Sequence, residues 1–248
     1  MIPIERQELI LELLKKRKSA DVKRIAEYCY SSEATVRRDL IELEKMKLIR
    51  RTRGGAILFE SSNDEPSATV RMSENMDKKE RIATLATDII GEHKTFFFDS
   101  SSTVSVLARA FSMPYRTVIT TGLNSALILS EKKGLNVIIP GGNVSYESNS
   151  MVGALTLRQL LEFNPECAVF SCGGIKDGLV TEATFEQSEL KKAVASRAKV
   201  KVLLADSTKF SRKLPFSFAR LDDFDILITD APVPAEVLGG SVRVKVVF

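Results

Sequence analysis

From residue 94 to its end the chain alternates short apolar runs with longer amphipathic stretches, and this alternation constrains the fold more than any other feature. The runs cover residues 95–98, 118–121, 137–139, 168–171, 200–205, 226–229 and 242–247. They are rich in β-branched and aromatic residues without strict polar alternation, as strands buried on both faces should be. Helical periodicity lies between most of them, at 102–111, 124–132, 150–163 and 186–198. This order predicts βαβ units and a mostly parallel sheet with helices on both sides, an α/β class. Another helix is expected over 77–90, with Gly91 ending it.

The charge is unevenly spread. Of 36 Lys+Arg and 32 Asp+Glu, residues 1–60 hold 14 and 10, so the whole net charge of +4 lies in the first quarter of the chain. Arg37, Arg38, Lys45, Lys47, Arg50, Arg51 and Arg53 cluster there against Asp39, Glu42 and Glu44. A basic stripe on a small unit joined to a neutral larger one points to polyanion binding. With 44% hydrophobic and 27% charged residues, the chain is neither disordered nor collagen-like. Three cysteines exclude a disulfide scaffold. No apolar run approaches the roughly 20 residues of a membrane helix. Glu5, Arg6 and Glu8 are not a secretory leader. A cytoplasmic protein with no membrane partner is expected.

Leu9, Ile10, Leu13 and Leu14 recur at helical spacing, which predicts a helix near 5–16. Asp21 is placed to cap a second helix carrying Val22, Ile25 and Ala26. After a turn at Tyr30 and Ser31, Ser32 is placed to cap a third helix, with Val36, Leu40 and Leu43 facing inward. Ala34, Arg38 and Lys45 then face outward, with Thr35 and Arg37 on the flanks; one of the two arginines is expected to pair with Asp39 or Glu42. A capped helix with an outward basic face suits the major groove, where its first residues reach base edges. Residues 48–51 and 56–59 read as two strands joined by Thr52-Arg53-Gly54-Gly55, where glycine is expected to supply a positive φ. The unit is a winged helix-turn-helix over 1–59. The polar stretch 60–74, with Pro66, reads as a linker, and 75–248 as the α/β domain.

In parallel sheets ligands bind beyond the carboxyl ends of the strands. Here those ends share a chemistry. Asp99-Ser100-Ser101-Ser102-Thr103 follows the first strand, and Thr120-Thr121-Gly122, Gly141-Gly142-Asn143, Gly173-Gly174 and Asp206-Ser207-Thr208-Lys209 follow later ones. Small residues admit a ligand to the backbone, hydroxyls and helix N-terminal amides hold anionic oxygens, and lysine supplies countercharge. Any one loop also fits an ordinary Ser-capped turn. Five along one sheet edge point to a pocket for a phosphorylated small molecule.

The run Ser32-Glu33-Ala34-Thr35-Val36-Arg37-Arg38-Asp39-Leu40, followed by Leu43-Glu44 and Arg51-Thr52-Arg53-Gly54-Gly55-Ala56, resembles the DNA-binding signature of DeoR-type transcriptional regulators. The five loops, with Thr121-Gly122-Leu123-Asn124 and Glu189-Leu190-Lys191-Lys192-Ala193, are similar in order and spacing to the sensor domain of that family. The resemblance implies DNA contacts at Ser32, Glu33, Thr35, Arg37, Arg38, Arg51, Arg53 and Gly54. It implies a sensor domain related to the ribose-5-phosphate isomerase and CoA-transferase folds. Its effector contacts would be Asp99, Ser100, Ser101, Ser102, Thr103, Thr121, Gly122, Gly141, Gly142, Gly173, Gly174, Glu189, Lys191, Asp206 and Lys209. A repressor of carbohydrate genes follows, bound to a duplex operator as a homodimer or homotetramer and controlled by a phosphorylated sugar. The chain departs from the family at Ser101, where glycine is usual, at Thr121, where asparagine is usual, and near Ser145, where a basic residue is frequent.

The alternative is a sugar-phosphate isomerase with a DNA-binding appendage, in which Asp99, Glu189, Lys191 and Asp206 move protons between neighbouring carbons. A fold alone does not imply catalysis. No nucleophile elbow, Walker loop or dinucleotide fingerprint is present. Cys167 and Cys172, five apart on one strand, point to opposite faces and cannot share a metal, and a single histidine, His93, argues against a histidine-based zinc site. Neither metal nor cofactor is expected.

Overall fold

A computed structural model describes residues 2–17, 19–46, 48–52, 54–58, 68–240 and 243–248, and divides into two units, 1–67 and 68–248.

In the first unit the order is α1 (Pro3–Arg17), β1 (Ser19–Asp21), α2 (Val22–Tyr28), α3 (Glu33–Lys45), β2 (Ile49–Arg51) and β3 (Gly55–Leu58). Both expected caps form: Asp21 accepts the Arg24 amide at 2.8 Å and Ser32 the Thr35 amide at 3.2 Å. Ile10, Leu13, Leu14, Val22, Ile25, Val36, Leu40, Leu43 and Ile49 close one apolar core. The wing has a third strand: the antiparallel sheet runs β1-β3-β2. This changes the role of Gly55. Its φ lies outside the left-handed region. A Cβ there would instead stand 2.1 Å from the Ala20 carbonyl oxygen, so glycine is required by the close approach of β1 to β3.

The second unit begins with α4 (Ala68–Ser73) and α5 (Met76–Ile89), followed by β4 (Thr95–Phe98), α6 (Ser102–Ala110), β5 (Arg116–Thr120), α7 (Leu123–Ser130) and β6 (Leu135–Ile138). Then come β7 (Asn143–Ser145), β8 (Ser150–Val152), α8 (Ala154–Leu160), β9 (Cys167–Ser171), β10 (Gly174–Lys176) and β11 (Leu179–Glu182). It ends with α9 (Phe185–Ala195), β12 (Val200–Leu204), β13 (Phe216–Arg220), β14 (Ile226–Ile228), α10 (Ala235–Leu238) and β15 (Lys245–Val247). The seven expected strands form one sheet in the order β15-β14-β12-β9-β4-β5-β6, parallel at every pairing.

Side chains of β4 divide between the two faces. Phe96 and Phe98 join Ile82, Leu107 and Leu129 of α5, α6 and α7, whereas Phe97 joins Leu160, Leu190 and Val194 of α8 and α9. Cys167 and Cys172 fall on opposite faces, as their spacing requires.

Three features differ from the sequence reading. The chain is helical over Ala68–Ser73, inside the expected linker, and the Ala68 amide donates to Glu147 O at 2.8 Å. The helix expected over 150–163 is preceded by β8, which pairs with β7. A separate antiparallel sheet, β10-β11-β13, stands beyond the carboxyl end of β9. The remainder of the expected linker, 60–67, lies outside the described residues.

Candidate nucleic-acid interface and effector loops

Helix α3 presents the expected face. Val36, Leu40 and Leu43 are buried and Ala34, Arg37, Arg38 and Lys45 exposed. The Ser32 and Thr35 hydroxyls lie 2.9 Å apart at its first turn. Arg37 is 3.5 Å from Glu33, one turn earlier, and Lys45 is 2.9 Å from Glu42. Arg38 forms no ion pair among the described residues. Arg51 leans from the wing onto α3, its Nε 2.6 Å from Glu44 Oε2 and its amide 2.8 Å from Oε1. Exposed pairs of this kind are worth about 0–1 kcal/mol, so phosphate can displace them. Gly54 is exposed, and Arg53 lies outside the described residues.

Asp39 behaves differently from its neighbours. It is buried, and Arg6 of α1 grips it through Nε to Oδ2 (2.5 Å) and Nη2 to Oδ1 (3.1 Å). Among the described residues the expected pairing of Arg37 or Arg38 with Asp39 or Glu42 is therefore not found: Arg37 pairs with Glu33, and Glu42 with Lys45. The signal for Asp39 was its spacing, three residues after Val36 and four before Leu43, which puts it on the apolar side. The contact raises the Arg6 pKa, chiefly through the Asp39 hydrogen bond. It ties the recognition helix to α1.

At the carboxyl edge of the large sheet, Asp99 is the hub. It accepts the Ser101 amide (2.9 Å) and hydroxyl (2.5 Å), the Ser171 amide (2.8 Å) and the Lys191 ammonium (2.9 Å). Lys191 also donates to Glu182 and to Ser171 O (2.8 Å), and its Nζ sits 5.3 Å from the Phe218 ring centre. Burial alone depresses the pKa of this ammonium, but Asp99 and Glu182 outweigh it and hold Lys191 charged. Three acceptors occupy its three hydrogens. Lys191 thus braces the loops after β4 and β9 from inside.

Glu182 was not anticipated, because only the folded β11 brings it to Lys191. Gln187 was also missed; its carbonyl accepts from Ser100 (3.0 Å), and its amide donates to Ser150 (2.9 Å) and Ser148 (3.3 Å). It links the first hydroxyl loop to the β7–β8 hairpin. Ser102, Thr103, Thr121 and Gly122 are buried, while Ser100 and Ser101 are half-buried. A Cβ on Gly122 would meet the Ser100 Cα at 2.9 Å, so this glycine lets two loops touch.

The other candidates are spread more widely. The Gly141 amide donates to Gln159 Oε1 at 2.8 Å, and a Cβ on Gly142 would lie 2.0 Å from Thr156 Oγ1. Gly173 and Gly174 are similarly closed over by Leu214 and the Arg212 carbonyl, at 2.2 and 2.3 Å from such a Cβ. Close packing is thus one requirement for glycine at 142, 173 and 174. Glu189 pairs with Lys192 at 2.9 Å on the surface. Asp206 is buried, caps the turn Ser207–Lys209 through the Thr208 amide (3.0 Å), and precedes a half-buried Lys209. No helix among the described residues is long and apolar enough to cross a membrane.

Comparison with known proteins agrees with both halves. Residues 6–62 match the DeoR-like helix-turn-helix domain and 74–231 the DeoR C terminal sensor domain. The HTH-type transcriptional repressor GlcR of Bacillus subtilis is 31% identical over 226 residues, 91% of this chain and 88% of that protein. The lactose phosphotransferase system repressor of Streptococcus mutans is 33% identical, with 91% of each chain covered, and the glycerol-3-phosphate regulon repressor of Escherichia coli 29%, covering 94% and 93%. Among solved structures, a ribose 5-phosphate isomerase of Methanocaldococcus jannaschii aligns over 57% of each chain at 15% identity and a TM-score of 0.42. The chain belongs to the DeoR family of transcriptional regulators.

Proposed function

We propose that the chain is a repressor of carbohydrate-metabolism genes that binds its operator through α3 and the wing and is released by a phosphorylated sugar. The observation that carries this reading is the division of labour on α3: an apolar face and a buried Asp39 clamp on one side, Arg37 and Arg38 exposed on the other. Ser32 and Thr35 lie at the end of the helix that reaches base edges, and Arg51 flanks it for a phosphate. A palindromic operator needs two such helices about one DNA turn apart, so the working form is a homo-oligomer in the cytoplasm.

The effector loops support an oxyanion ligand. The half-buried Lys209 offers a positive charge after β12, and the first hydroxyl loop opens α6 with its N-terminal amides at Ser102 and Thr103. Asp99 favours binding over isomerisation, because its oxygens already accept four hydrogen bonds and are turned to the protein's own donors. Selecting duplexes from a random pool and titrating the recovered sequence over a salt series tests the DNA half. A steep negative log–log slope is expected, since each neutralised phosphate releases counterion. A slope near zero, or no enrichment, rejects it.

A further inference from the structure

The β7–β8 hairpin is bonded both to the effector loops and to the first helix of its unit. Its second strand lies against the loop after β5: the Met151 amide donates to Thr121 O (2.8 Å), the Leu123 amide donates to Asn149 O (3.1 Å), and Gly122 forms a bridge with Ser150. Its turn holds α4, because Glu147 O accepts the Ala68 amide at 2.8 Å. Ala68 opens α4, and it is the residue at which the chain enters the second unit.

Gln187, in the first turn of α9, joins this hairpin to the loop after β4. Its two Nε2 hydrogens go to the hairpin, one to Ser150 (2.9 Å) and one to Ser148 (3.3 Å), whose hydroxyls lie 2.7 Å apart. Its Oε1 accepts from Ser100 (3.0 Å). Ser100 is half-buried, whereas Gln187 is 7% exposed and Ser150 fully buried. A serine hydroxyl has one hydrogen to donate. Ser100 gives it to Gln187, so a ligand oxygen that accepts from Ser100 takes that bond from Gln187 Oε1. A buried carbonyl without its donor is unfavourable, so the amide turns to find another, and its bonds to Ser148 and Ser150 turn with it.

We propose that Gln187 is a positioning residue for the effector response: it passes occupancy at Ser100 through Ser148 and Ser150 to the hairpin turn, and the hold of Glu147 O on the Ala68 amide loosens. Every bond on this route lies within the second unit and ends where the chain from the DNA-binding unit arrives. The inference rests on the effector reading of the first hydroxyl loop. The ligand moves the equilibrium only by its difference in affinity for the two arrangements.

Two variants cut the route at separate points. Gln187→Met keeps the side-chain length but offers neither amide donor nor carbonyl acceptor. Ala68→Pro removes the amide hydrogen at the first position of a helix, where proline is tolerated. Full-length protein with its selected duplex is used, and glycerol phosphate and glucose phosphate are the probes. In the wild type, a probe that binds by calorimetry is expected to speed exchange at the Ala68 amide and to weaken duplex binding, each about tenfold. Ala68→Pro should bind probe and duplex within about threefold of wild type, with the probe shifting duplex affinity by less than about twofold; Gln187→Met should lose the response equally. If no probe binds the wild type or loosens its duplex, the effector reading fails and this inference with it. If a probe loosens the duplex while exchange at Ala68 is unchanged, or while either variant still responds, the route alone is overturned. Should a variant not fold, the wild-type exchange comparison decides.

Discussion

Arg6→Met is expected to come close to unfolding the DNA-binding unit. The Arg6 guanidinium meets Asp39 at 2.5 Å, with side chains only 11% and 7% exposed. Methionine matches the aliphatic stem but leaves the Asp39 carboxylate on the inward face of α3 without that cation. Breaking a buried pair in this way costs about 3–5 kcal/mol. The lower end, about 3 kcal/mol, applies because neither side chain is fully sealed from water. A unit spanning residues 1–67 has roughly 3–10 kcal/mol of stability in total, so the loss is a large share of it. Urea melts followed by hydrogen exchange resolved over 1–58 measure this. The double variant Arg6→Met/Asp39→Leu, which removes both charges, should recover to within about 1 kcal/mol of wild type. A single variant costing less than about 1 kcal/mol at neutral pH, or a double variant no better than the single, would refute the reasoning.

Three other outcomes are expected. Arg38→Ala should weaken the selected duplex by about 1–3 kcal/mol while leaving random duplex nearly unchanged, read by fluorescence anisotropy; equal losses would reduce Arg38 to a phosphate contact. Burial holds Lys79 down to about 8 against 10.5 for a free lysine, so the folded chain sheds this proton before the unfolded chain does. Stability from this group should rise as pH goes from about 8 to 10.5, a rise that Lys79→Met lacks in urea melts across the same window. Gly55→Ala, whose Cβ would stand 2.1 Å from the Ala20 carbonyl oxygen, should cost about 1–3 kcal/mol and expose the amides of Ser19–Asp21 to exchange; slow exchange there would mean that the strands accommodate the methyl.

The parallel sheet is legible because its strands are covered on both faces and so read as unbroken apolar runs. Phe96, Phe97 and Phe98 point alternately to two helix layers, and no polar residue interrupts them. The shorter antiparallel pieces left no such trace. β7, β8 and β10 are three residues each, mix polar with apolar side chains, and pair across short hairpins, β7 with β8 and β10 with β11, too brief to show a period. On α3, capping and periodicity foretold which residues face outward. The same periodicity puts Asp39 on the inward side; what it does not reveal is the partner, Arg6, 33 residues away. The effector loops show the same division. Their position at the sheet edge follows from strand order, but the bracing of Asp99 by Lys191 and Glu182 needs the folded β11 and α9. At Gly142, Gly173 and Gly174 the close approaches of Thr156, Leu214 and Arg212 add a packing demand that the sequence does not show.

The most direct test of the central claim is to titrate glucose phosphate and glycerol phosphate into the complex of the full-length protein with its selected duplex, at constant salt. At least one of them should loosen the complex about tenfold, the range of ordinary coupling between two sites. Duplex affinity that stays constant while the sugar phosphate demonstrably saturates the protein would contradict it.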